Sequence, residues 1–229
     1  DELRLATQGQ SHVFGISLKD RASILPAGAT ANAAYWIDPP SGYFVTSTFY
    51  RPQLPEWATA FNTGGRPEEA MKEADAPATT MFYELVGRTP AANAYELDFA
   101  RALIKGEQLG EGEITDLLTI SLSANDIMGH QLGPDSEFEK TMVDRLDTDL
   151  DSFFTWLDKN IDGGLASVWI TLSADHGVAP IPAEAAKLGL NAATLDFARF
   201  TTALDEAMNQ KFSPGEKVAY LLPHQSLPY

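Results

Sequence analysis

Apolar positions recur along this chain with two different spacings, and they predict an alternation of strands and helices. The segment HVFGISLKDR is apolar at Val13, Phe14, Ile16 and Leu18 and turns charged at its end, which predicts a short strand. SGYFVTSTFY (41–50) is β-branched and aromatic between Pro39-Pro40 and Pro52, and predicts a second. Residues 51–90, rich in Pro, Gly, Thr and Ala, predict loops with short helical pieces. In NAYELDFARALIKGEQLG, Leu97, Ala100, Leu103 and Ile104 fall at helical spacing and the segment closes on glycine.

The second half is the more regular. DLLTISL (116–122) is a compact apolar strand, and Ser136 and Glu139 stand where a capping box would start a helix. From there Phe138, Met142, Leu146, Leu150, Phe153, Phe154 and Leu157 recur at three and four residues, and Gly163-Gly164 ends the run. SVWITL (167–172) then predicts a further strand. Strand, helix and strand at this spacing make a βαβ unit, so the expected fold is α/β with a mostly parallel sheet sandwiched by helices. A last helix at about 194–212 carries Phe197, Phe200, Leu204, Met208 and Phe212 on one stripe, followed by a strand at KVAYLL.

Composition narrows the function. Acids outnumber bases 32 to 16, for a net charge of −16, which argues against a sequence-independent nucleic-acid binder. The same carboxylates are available to divalent cations. There is no cysteine, so thiolate metal sites and disulfides are excluded while the compartment is left open. No apolar run reaches membrane-spanning length. The first residues, DELRLATQGQ, match neither a signal peptide nor a natural start, and suggest a mature or internal piece.

In open parallel sheets, ligands bind beyond the carboxyl ends of the strands. Three predicted strands carry polar groups there: Lys19 and Arg21 in GISLKDR, Asp126 and His130 in TISLSANDIMGH, Asp175 and His176 in WITLSADHG. Four residues apart, Asp126 and His130 can aim at one cation; carboxylate and neutral imidazole bind zinc at roughly 2.0–2.2 Å. Asp175 and His176 can both turn toward a metal just past the end of a strand. Lys19 and Arg21, two apart, share a face of an extended segment, and a guanidinium with an ammonium suits phosphate. Each pair taken singly is more often a solvated surface feature or a capping acid. Their joint placement at strand ends favours a site. His12 lies at the opposite end of its strand, and His224 sits among prolines without an acid.

SLSANDIMGHQLGP and TLSADHGVAP, separated by a long helix, resemble the alkaline phosphatase superfamily in its type I phosphodiesterase/nucleotide pyrophosphatase branch. GISLKDRASILPAGATANAAYWID with GYFVTSTFY resembles the bacterial monoesterase-type alkaline phosphatases of that branch, which use a threonine nucleophile. The likeness is clear over 11–62 and 93–180. It implies one alkaline-phosphatase-like domain over 1–229, with about 38–92 and 181–229 as insertion or peripheral segments. It further implies two zinc ions, with manganese or iron as second choices: Asp126 and His130 on the first, Asp175 and His176 on the second. Lys19 and Arg21 would hold the phosphate of a small-molecule monoester. The metals, roughly 4 Å apart, would flank an in-line displacement through a phosphothreonine.

The family's threonine loop, N-terminal aspartate ligand, phosphate-binding asparagine and third zinc histidine have no counterpart here. The chain thus resembles an internal fragment, expected to bind zinc weakly and to turn over little alone. The resemblance implies a periplasmic or secreted enzyme and leaves the oligomeric state open. The alternatives are a phosphodiesterase or nucleotide pyrophosphatase on the same scaffold, and a non-catalytic metal- or anion-binding module.

Overall fold

The computed structural model describes residues 1–76, 81–213, 215 and 218. It divides into two compact units, Asp1–Ala179 and Pro180–Tyr229. In the first, α1 (Glu2–Ala6) leads into β1 (Val13–Ser17), α2 (Asp20–Ala27), β2 (Ala33–Ile37) and β3 (Phe44–Val45). Three short helices follow, α3 (Glu56–Thr63), α4 (Arg66–Glu73) and α5 (Phe82–Leu85), before the long α6 (Pro90–Glu107). Then come β4 (Leu117–Ser121), α7 (Ala124–Leu132) and α8 (Glu137–Asn160). The second unit holds α9 (Pro182–Lys187) and α10 (Phe197–Phe212), the latter capped by the Asp196 side chain.

The sheet has the order β3-β2-β1-β4, with β2, β1 and β4 parallel and β3 antiparallel, as a mostly parallel α/β fold requires. All five residues of β1 are buried, because helices cover both its faces. On one side Gly15 lets α2 press close: a Cβ there would lie 2.2 Å from the Ser23 carbonyl oxygen. On the other, Phe14, Ile16 and Leu18 join a core built largely on α6, through Leu97, Phe99, Ala100 and Leu103. Phe99 stacks on Phe44 with ring centroids 3.7 Å apart, and Tyr95 lies 5.2 Å from the same ring.

Two helices follow the expected patterning closely. The Ser136 hydroxyl accepts the Glu139 amide at 3.1 Å and starts α8, whose Met142, Phe153 and Leu157 are buried. The Glu139 carboxylate does not close the box; it accepts from Asn125 at 3.4 Å. Helix α6 begins earlier than its apolar stripe, with proline in its first turn, runs through Gly106 and ends on a left-handed Gln108.

Several predicted strands differ. The segment 41–50 shrinks to Phe44–Val45, paired with a strand at Ala33–Ile37 that the hydrophobic pattern did not mark. Beyond it the chain turns, the Ser47 hydroxyl accepting the Phe49 amide and the Ser47 carbonyl accepting the Tyr50 amide. Such local bonds compete with a ladder. The segment 167–172 forms no strand: a 3-10 turn occupies Gly164–Ser167, and Trp169 and Leu172 are 99% and 82% exposed. Val168 has extended backbone, but among the described residues no strand pairs with it, and strand propensity without a partner makes no strand. Among the described residues the βαβ unit predicted from β4 through α8 is therefore not completed, and β4 is the last strand of the sheet. Lys19 and Arg21 do not share an extended segment. Lys19 is the extended N-cap of α2 and Arg21 lies in its first turn, because Asp20 places an acid where a helix N-terminus favours one. The strand predicted at KVAYLL falls, apart from Val218, outside the described residues, as does His224.

Candidate metal and phosphate site

The parallel pair β1 and β4 ends in register at Ser17 and Ser121. The Ser17 hydroxyl donates to the Ser121 carbonyl at 3.0 Å, lies 3.2 Å from the Ser123 hydroxyl and accepts the Lys19 amide at 3.2 Å. This serine corner ties the start of α2 to the start of α7. It fixes where their first turns project, which is how Lys19 and Asp126 come to face each other across 107 residues of sequence.

The Lys19 ammonium donates to Asp126 Oδ2 at 2.6 Å. The other oxygen, Asp126 Oδ1, lies 3.1 Å from His130 Nε2 and 3.6 Å from His176 Nε2. His130 follows one helical turn after Asp126, and the two imidazole rings lie 5.6 Å apart. Burial raises the Asp126 carboxyl's pKa, but the Lys19 bond and charge, with His130 and His176, outweigh it and hold the group below the usual carboxylate range. Asp126 is thus a ready-made anion within reach of two imidazoles.

One atom asks for something more. Asp126 Oδ1 is buried and has no hydrogen-bond partner, although two ring nitrogens face it. Ligand atoms from Asp126, His130 and His176 all lie within 4.8 Å of one another. A carboxylate with two imidazoles fits a zinc-type cation with a position left for another ligand. The donor set and the orphaned oxygen therefore agree.

The remaining candidates, Asp175 and Arg21, are exposed. Asp175 is 83% exposed; it accepts the His176 amide at 3.0 Å and approaches the His176 ring at 3.5 Å. Arg21 is exposed, its main-chain amide donating to Asp20 at 2.7 Å.

A polar group beneath the site was missed by the sequence reading. Asn93 donates to Asn125 at 3.0 Å, and Asn125 donates to Glu139, so a chain of side chains joins α6, α7 and α8 next to Asp126. Glu96, three residues after Asn93, is fully buried, and no side chain hydrogen-bonds its carboxyl oxygens. Burial pushes its pKa well above the usual range, against the opposing pull of the Leu18 main chain and Lys19. The available signal was Asn93 and Glu96 standing among the apolar residues of α6, where a purely structural helix would carry none.

The mostly parallel α/β sheet is shared with known proteins, and comparison with them gives the family. The type I phosphodiesterase/nucleotide pyrophosphatase model matches residues 7–226, and the chain belongs to that family.

Within it, the relatives place the chain in the alkaline phosphatase superfamily, on its monoesterase-type branch. It is 39% identical to alkaline phosphatase PhoV of Synechococcus elongatus over 218 residues, covering 80% of this chain and 39% of that protein. A Myroides odoratus protein named calcium-transporting ATPase is 37% identical over 264 residues, covering 98% of this chain and 48% of its own. The crystal structure of wild-type alkaline phosphatase PafA superposes with a TM-score of 0.82 at 34% identity, covering 93% of this chain and 47% of that one. The chain thus spans less than half the length of these relatives. Among the described residues, no helix is long and apolar enough to cross a membrane.

Proposed function

We propose that this chain is part of a two-zinc phosphomonoesterase acting on small phosphate monoesters. The observation that carries the reading is the division of one carboxylate: Asp126 gives one oxygen to the Lys19 ammonium and the other to His130 and His176. Asp126, His130 and His176 would hold one cation, and Asp175, adjacent to His176 in the chain, is available to a second. Zinc suits this donor set, with manganese or iron as second choices. Bound there, it supplies Lewis-acid neutralisation of charge at the reacting phosphate.

The chain's own groups then divide the work. Lys19 binds a non-bridging oxygen of the monoester dianion, held toward the site by Asp126. Arg21, in the first turn of the same helix, adds a second cationic donor for the phosphate. A threonine hydroxyl from the part of the relatives that this chain does not span attacks phosphorus and expels the alcohol. Water then attacks the phosphothreonine, releasing phosphate and restoring the hydroxyl. The family resemblance also points to a periplasmic or secreted protein, and the net charge of −16 argues against nucleic acid as partner.

The second reading is a diesterase, favoured by the description of the matching family model. A diester carries one charge fewer, so it depends less on the two cations. In the whole protein, replacing Lys19 and Arg21 together by alanine lowers kcat/KM for a monoester by roughly a hundredfold more than for a diester, at about 1.5 kcal/mol per charged contact. Equal losses favour the diesterase. A whole protein that binds zinc and hydrolyses neither substrate identifies a non-catalytic module.

A further inference from the structure

Asp126 is shared in a way that ties two ligands together. The carboxylate has Lys19 on one oxygen at 2.6 Å, and the imidazoles of His130 and His176 on the other at 3.1 and 3.6 Å. The formal charge of this group, with neutral imidazoles, is zero: one carboxylate against one ammonium. A dication bound by Oδ1 and the rings leaves the cluster at plus two, at a site where Asp126 is only about a quarter exposed. An oxyanion with two negative charges returns it to zero. Without the ammonium the same cluster starts at minus one and reaches only plus one with the dication. Charge left unbalanced at a partly buried site is costly, so a lone dication is opposed more strongly with the ammonium present than without it.

We propose that Lys19 couples the two ligands, holding back a lone divalent cation and favouring the cation together with a phosphate-like oxyanion. The inference rests on the reading of Asp126, His130 and His176 as cation ligands. It gives Lys19 a task separate from touching the phosphate: through Asp126 it sets how tightly the metal is held. The consequence is reciprocal. Whatever factor the oxyanion adds to metal affinity, the metal adds to oxyanion affinity. A site built this way loads its metal most firmly while phosphate is present, and retains it less firmly once phosphate leaves.

The test uses the whole protein and zinc alone, titrated against a chromophoric chelator with and without inorganic phosphate. In the unaltered protein phosphate tightens zinc binding. Lys19→Met binds zinc about tenfold more tightly than the unaltered protein when phosphate is absent, and loses about tenfold of the phosphate effect. Lys19→Arg, which keeps the charge, behaves as the unaltered protein. Lys19→Gln serves as a second neutral variant if the methionine variant fails to fold, judged by circular dichroism. Neutral variants that bind zinc no more tightly, or that keep the full phosphate effect, overturn the coupling while leaving the metal site standing. An unaltered protein that binds no zinc under either condition overturns the ligand assignment, and the coupling with it.

Discussion

Glu96 offers the sharpest stability prediction, because its carboxyl is fully buried with no side-chain hydrogen-bond partner. Its pKa in the folded protein lies well above the ordinary 4.5, chiefly through burial, against the opposing effects of the Leu18 main chain and Lys19. The folded protein therefore keeps this proton over a pH range in which the unfolded chain has already lost it. With the folded value raised, the stability associated with the neutral acid is complete below pH 4.5 and declines as pH rises toward the folded pKa. The decline approaches about 1.4 kcal/mol per pH unit, the linkage slope for one proton. Glu96→Gln keeps the size and removes the titration. Its stability relative to the unaltered chain should thus rise with pH by up to about 1.4 kcal/mol per unit, starting near pH 4.5.

Urea denaturation of both proteins at half-unit intervals from pH 4 to 8 reads this difference directly. Glu139 and Asp149, whose carboxyl pKa values burial also raises, contribute equally to both proteins and cancel. A difference that stays flat across the range would refute the reasoning. It would show Glu96 ionised at its ordinary pKa, with Lys19 compensating it fully.

Two further substitutions test the scaffold. Gly15→Ala puts a methyl 2.2 Å from the Ser23 carbonyl oxygen and 3.0 Å from the Ala27 Cβ, with main chain on the α2 side unable to yield. Overpacking of this kind costs about 3 kcal/mol, so Tm in a thermal melt should fall by roughly 6–10 °C. Since α2 carries Lys19, zinc and phosphate titrations of the variant should also show a smaller phosphate effect. Ser136→Ala removes the hydroxyl that caps α8 and should lower stability by about 1 kcal/mol in urea, with zinc affinity unchanged.

What could be read from the sequence follows the range of the forces involved. Strand β1 and helix α8 were legible because local patterning decides them: a run of apolar residues covered on both faces, and a stripe with its own cap. Strands that depend on a partner were less legible. Ala33–Ile37 pairs with β1 and so forms a strand, whereas residues 168–172, richer in strand-forming residues, find no partner among the described residues, and 169–172 stay exposed. Lys19 and Arg21 were identified as candidates, but their geometry was misjudged, since Asp20 starts a helix where an extended end was expected.

For the site, strand-end placement singled out Asp126, His130 and His176, and these side chains converge. Asp175 reaches the same His176 ring nitrogen at 3.5 Å from the exposed side. Glu96, Asn93 and the serine corner were invisible for another reason. Their meaning depends on what they are buried against, and a hydrophobic stripe does not report that.

The most direct test of the metal site is a crystal of the chain grown with zinc, with anomalous diffraction measured at the zinc edge. The account predicts a peak at roughly 2.0–2.2 Å from Asp126 Oδ1, His130 Nε2 and His176 Nε2 together. Zinc bound elsewhere, with those three atoms left without a shared peak, would contradict it.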